Sequence, residues 1–123
     1  MGCTKLHQQV PTFANDLDTA RKNYDPTDKY IDMLVKRISP LTREHISNCA
    51  SQGHREYKIF ESFGLPKKDV TKLNEKKLKQ ALTDNLPSEL SELRVYIRTS
   101  MYYHAAGMRV YLLWEPEEKC NIM

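Results

Sequence analysis

Residues 93–114, LRVYIRTSMYYHAAGMRVYLLW, limit the possible folds of this chain more than any other stretch. Two alternating runs stand in it, Leu93-Arg94-Val95-Tyr96-Ile97-Arg98 and Met108-Arg109-Val110-Tyr111-Leu112-Leu113-Trp114. Each puts apolar side chains on one face and Arg or Tyr on the other, the period of a half-buried strand. The loop between them carries Gly107, so the pair is expected to form a β-hairpin. Leu93, Val95, Ile97, Val110, Leu112 and Trp114 make its core face, and Arg94, Tyr96, Arg98, Arg109 and Tyr111 its outer face.

A hairpin cannot cover its own apolar face, and the residues before it must supply the second layer. The best-marked helix starts at Asp25-Pro26-Thr27-Asp28. Asp25 is suited to cap backbone N–H groups, Pro26 to open the first turn, and Asp28 to meet the positive helix end. Tyr30, Ile31, Leu34, Val35 and Ile38 then recur at helical spacing. Ser39-Pro40 interrupts, with Ser39 expected to end this helix and cap the next; a single helix kinked at Pro40 is the alternative. The second helix carries Leu41, His45, Ile46, Cys49 and Ala50 on one side and stops at Gly53.

Beyond Gly53 the period changes. Residues 56–61, EYKIFE, read as a strand, and Phe63-Gly64-Leu65-Pro66 as a turn. A lysine-rich helix follows with Asn74 as N-cap, Leu73 and Leu78 as a hydrophobic staple, and Ala81, Leu82 and Leu86 inward. Pro87 ends it. The fold class is therefore α+β: N-terminal helices, then strand, helix, strand, strand, in a small mostly antiparallel sheet with helices on one face. Residues 25–116 form one domain. Residues 1–24 are an arm with a short helix capped by Asn15 or Asp16, carrying Leu17, Ala20, Arg21 and Tyr24, which lies on the surface or reaches a neighbouring subunit. Residues 117–123 are a tail.

At 123 residues the chain is long enough to bury a core without staples. A net charge of +3 is too small to imply nucleic acid or an anionic membrane by itself. Cys3, Cys49 and Cys120 are odd in number and widely spaced, which argues against a disulfide framework and for a reducing intracellular compartment. No apolar run approaches a membrane span, and no signal-peptide core is present.

His45 and Cys49, four apart on one helical face, have a spacing that can place two metal ligands together. Nothing completes a set of four, so a metal or thiol-nucleophile role is outweighed by simple burial. No GxSxG, P-loop or GxGxxG occurs, which points away from an enzyme and from any cofactor. Lys67, Lys68, Lys72, Lys76, Lys77 and Lys79 read as a solvated helix face, with Glu75 and Lys79 paired one turn apart.

The outer hairpin face remains. Arg94, Tyr96, Arg98, Arg109 and Tyr111, joined by Lys58 and Phe60 if the first strand lies alongside, could be a solvated surface, a protein interface rich in Tyr and Arg, or a nucleic-acid platform. Both termini resemble lipidation signals. Met1-Gly2-Cys3 has Leu6 where myristoylation wants Ser or Thr, while Cys120-Asn121-Ile122-Met123 fits a farnesylation box, which would make Cys120 a membrane anchor beside an acidic flank.

From residue 38 to 114 the order is a helix ending in Ala50-Ser51-Gln52-Gly53, a strand from Tyr57 to Phe60, a Leu/Lys helix and a strand ending at Trp114. It resembles small α+β proteins of large double-stranded DNA viruses in architecture rather than motif. That resemblance implies a virion or host-interaction component with other protein subunits as partners. The expectation is a non-enzymatic assembly subunit, with nucleic-acid binding and prenyl anchoring as alternatives.

Overall fold

The computed structural model describes residues 11–114. The patterns at Cys3 and Cys120 lie outside them. Three helices come first: α1 at Pro11–Lys22, α2 at Thr27–Ile38 and α3 at Arg43–Ser51. Strand β1 at Glu56–Leu65 follows, then α4 at Lys67–Lys72, α5 at Glu75–Asp84 and a 3-10 turn at Ser88–Leu90. The hairpin closes the order, with β2 at Arg94–Met101 and β3 at Ala106–Leu113.

The sheet order is β1-β3-β2, with β3 antiparallel to both neighbours. β1 and β2 are therefore parallel to each other, and the chain between them must cross one face of the sheet. α4 and α5 make that crossing. They bury the inner face together with α2, and the outer face stays open. Leu34 and Ile38 of α2, Leu78 and Leu82 of α5, Val95 of β2, and Met108, Val110 and Leu112 of β3 form one buried cluster. Leu93, Ile97 and Trp114 flank it half-buried. The chain is α+β, as the alternation and helical spacing require. Among the described residues no helix is long and apolar enough to cross a membrane.

Local signals explain most boundaries. Asp25 Oδ1 accepts the Thr27 backbone N–H at 2.9 Å, and the Thr27 side chain, together with that bond, holds the Asp25 carboxyl below its ordinary pKa. Asn74 Oδ1 accepts the Lys77 N–H at 3.0 Å, and Leu73 and Leu78 are both buried around it. Gly53 adopts φ +94°. Its N–H donates to the Ala50 carbonyl and that of His54 to the Cys49 carbonyl, a Schellman closure that only a residue at ease with positive φ permits.

Five local expectations need correction. Ser39 does not cap α3: its hydroxyl donates back to the Val35 carbonyl at 2.8 Å, and its backbone stays helical. The cap is Thr42, in extended conformation, whose Oγ1 accepts the His45 N–H while His45 Nδ1 accepts the Thr42 N–H at 3.0 Å. Phe63, Gly64 and Leu65 of the expected Phe63-Gly64-Leu65-Pro66 turn are instead strand, because Leu65 pairs with Ala106 across a register break that absorbs Gly64. The lysine run is two helices, α4 opening after Pro66 and α5 after Asn74. Glu75 accepts the Thr99 hydroxyl at 3.1 Å rather than pairing with Lys79. Finally, α1 begins at Pro11, ahead of Asn15 and Asp16, because proline suits a first helical turn.

The Thr42 capping box is a local device, and Thr42→Ala is expected to lower stability by about 1 kcal/mol. The chemical-denaturation midpoint measures it. A loss within error would show that His45 holds the turn alone.

Candidate functional site

The open sheet face is built in rungs by the strand register. Glu56, Leu113 and Arg94 lie across one rung, Lys58, Tyr111 and Tyr96 across the next, and Glu61, Arg109 and Arg98 across the third. The five hairpin residues expected on the outer face thus stand together. Lys58 joins them, but Phe60 does not. Between Lys58 and Phe60 the β1 register slips by one residue. Ile59 is the extra residue, and both it and Phe60 turn to the helix side. Phe60 packs there under Arg37, whose guanidinium carbon lies 5.2 Å from the ring centre.

The same slip restores Glu61 to the outer face, where strict alternation from Lys58 would have hidden it. Lys58 Nζ and Arg109 Nε both reach the Glu61 carboxylate, the latter at 3.0 Å. The Lys58 hydrogen bond, assisted by Arg109, holds the Glu61 carboxyl below its ordinary pKa. Arg109 also stacks on Phe63, 5.2 Å from its ring centre. Phe63 meets Tyr102 at 6.2 Å, and Tyr96 stacks on Tyr111 at 6.3 Å and 29°. The face therefore alternates aromatic and guanidinium surface, suited to flat contacts and to bidentate recognition of oxyanions.

Gly107 was expected in the hairpin loop and is found in β3, opposite Ser100. A Cβ there would meet Ser100 Oγ at 2.9 Å, Tyr102 Cε2 at 3.1 Å and the Ser62 carbonyl at 3.2 Å. Its value is close approach rather than a turn. The loop proper is residues 102–105, closed by the Tyr102 N–H donating to the Ala105 carbonyl at 2.8 Å. Tyr103 stands at its tip, 85% exposed, with His104 edge-on at 4.4 Å.

A second polar cluster escaped sequence reasoning altogether. Asp69 of α4 is fully buried. It accepts the Tyr24 hydroxyl at 2.5 Å, the Tyr30 hydroxyl at 2.8 Å and Lys29 Nζ at 3.1 Å. Burial alone would raise the Asp69 pKa, but these three donors outweigh it and hold the carboxyl below its ordinary value. Burial and the adjacent carboxylate push the Tyr30 phenol up. Its donors are all supplied from α2 and the end of the arm, so Asp69 is a fastening. Nothing in a lone aspartate marks it; the only hint is a carboxylate in the first turn after Pro66.

His45 and Cys49, the pair with ligand spacing, are engaged separately. His45 is occupied by its capping role, and Cys49 is half-buried beside His54, Tyr57, Lys58 and Tyr111. Among the described residues no three ligand-type side chains converge. Compared with known proteins, the chain matches no family model, no curated protein and no solved structure.

Proposed function

We propose that this chain is a non-catalytic interaction protein, a subunit of a larger assembly such as a virion, and that the open sheet face receives its protein partner. One observation carries this reading. Of the seven large hydrophobics exposed among the described residues, four, Phe63, Tyr96, Tyr102 and Tyr103, gather on this face and the adjoining hairpin tip. Exposed aromatics interleaved with arginine are the composition of interface centres. The helices that could have covered these residues lie on the other side of the sheet.

A nucleic-acid reading has its own support in the Tyr96–Tyr111 stack beside the Arg98–Arg109 rung, since bases stack on such platforms. Glu56 and Glu61 on the same face repel a phosphate backbone and favour the protein partner. The membrane alternative depends on Cys120.

The test compares wild type with Tyr96→Ala/Tyr111→Ala by size-exclusion chromatography with light scattering and by affinity purification from native material. The expected result is an assembly or partner lost in the variant at an unchanged thermal midpoint. A monomer whose co-purifying proteins are the same in both would sink the proposal. So would a salt-dependent gel shift with single-stranded RNA that the variant abolishes.

A further inference from the structure

The rung at which Arg98 faces Arg109 is unusual, because like charges directly opposite one another on a sheet are mutually destabilising. Glu61 neutralises Arg109. Arg98 has no ion-pair partner among the described residues. Beside this rung is a pocket of about 140 Å³ lined by Phe63, Arg98, Ser100, Tyr102, Met108 and Arg109. Ligand pockets for drug-sized molecules run to roughly 300 Å³ and above, so this one suits a single compact group.

We propose that this pocket is a phosphoryl-binding site that receives a phosphorylated side chain of the protein partner. The inference rests on the reading of the open face as a protein interface. Two guanidinium groups supply the forked donors that match phosphate oxygens. Ser100 donates its hydroxyl to Tyr102 Oη at 3.0 Å, which leaves the Tyr102 O–H available to donate to a ligand. Lys58, Arg98 and Arg109 less Glu61 leave a local charge of +2, which a phosphoryl dianion balances and a carboxylate only halves. Gly107 makes the arrangement possible, since any Cβ would displace the Ser100 hydroxyl and the Tyr102 ring. The exposed rings of Phe63 and Tyr102 border the pocket with apolar surface, as a protein ligand needs to exclude water around one buried charge. A nucleic-acid strand needs a continuous cationic track instead, and Glu61 and Glu56 interrupt it.

The experiment is an amide and arginine Nε–H NMR titration of the full chain with inorganic phosphate, O-phosphoserine, acetate and an eight-residue uridine oligonucleotide. A phosphoserine-containing random peptide pool is compared with its unphosphorylated form. Saturable shifts at Ser100, Tyr102, Gly107 and the Arg98 side chain are expected with phosphate and phosphoserine, with acetate much weaker. The phosphorylated pool should bind more tightly than the unphosphorylated one. Arg98→Ala should weaken phosphoserine binding roughly tenfold or more, Arg98→Lys less, and both should keep the wild-type thermal midpoint. Gly107→Ala should weaken it without changing charge. No saturable shift, or undiminished binding by Arg98→Ala, overturns the site. Tighter binding of the oligonucleotide than of phosphoserine overturns the protein source of the phosphoryl group. If phosphate binding is absent while Tyr96→Ala/Tyr111→Ala still loses its partner, the pocket fails and the interface stands.

Discussion

Asp69→Ala should destabilise the protein by about 3 kcal/mol. The carboxylate is fully buried and takes two phenolic hydrogen bonds, from Tyr24 and Tyr30. Removing it leaves the Tyr30 hydroxyl buried without an acceptor, at a cost of roughly 1–3 kcal/mol, and opens a cavity as well. The Lys29 contact adds little, because the lysine side chain is 61% exposed and solvent screens it. Since the folded-state pKa of Asp69 is depressed, its contribution is fully present above the unfolded value near pH 4. It is lost as pH falls through the folded value. Wild type should therefore weaken on acidification below about pH 4, and Asp69→Asn should flatten that limb of the stability curve. Denaturation midpoints between pH 2 and pH 7 (roughly the carboxylate titration range) measure both. An unchanged midpoint in Asp69→Ala, or an acid limb identical in Asp69→Asn, would remove the fastening role.

Two neighbouring leucines on the last strand should respond in opposite ways. Leu112 is fully buried in the core, paired with Tyr57 on one side and Val95 on the other. Leu112→Ala is expected to cost about 3–4 kcal/mol, from lost transfer energy and a cavity in a central strand that cannot collapse easily. Leu113 lies on the outer face between Glu56 and Arg94, and Leu113→Ala should cost less than about 1 kcal/mol. Urea denaturation of the two variants checks this. Equal losses would mean that the register is wrong, because a slip of one residue exchanges the two faces.

The parts of the fold visible in the sequence are those decided within a few residues. Asp25, Asn74 and Gly53 act on backbone groups two to five positions away, and their capping chemistry reads directly. The hairpin strands show their period because each has one wet and one dry face. Pairings between distant segments left no such mark. The Ile59 bulge exists because β1 must keep Tyr57, Ile59 and Phe60 over the helices and still return Glu61 to Arg109, and that demand comes from β3, some fifty residues away. Asp69 depends on Tyr24, Tyr30 and Lys29, which only the folded chain brings to α4. His45 and Cys49 show how little spacing alone decides. Their i,i+4 spacing suggested shared ligation, while the more local threonine–histidine box had already claimed the imidazole. Of the outer face, the five hairpin residues were legible. Glu61, which holds Arg109, and Phe63 and Tyr102, which line the pocket, were not, because each arrives there through a register break or a close approach to glycine.

The strand order also carries a consequence for biosynthesis. β3 is the middle of the sheet and the last of its three strands to leave the ribosome, so β1 lacks its partner while residues 66–105 are being made. The α2 and α5 segments can become helical early, but the core they are meant to cover needs Met108, Val110 and Leu112. The nascent chain must therefore hold a ten-residue strand with open hydrogen-bonding edges until β3 has been made. The two register breaks in β1 make that waiting strand a poor template for pairing with another nascent copy.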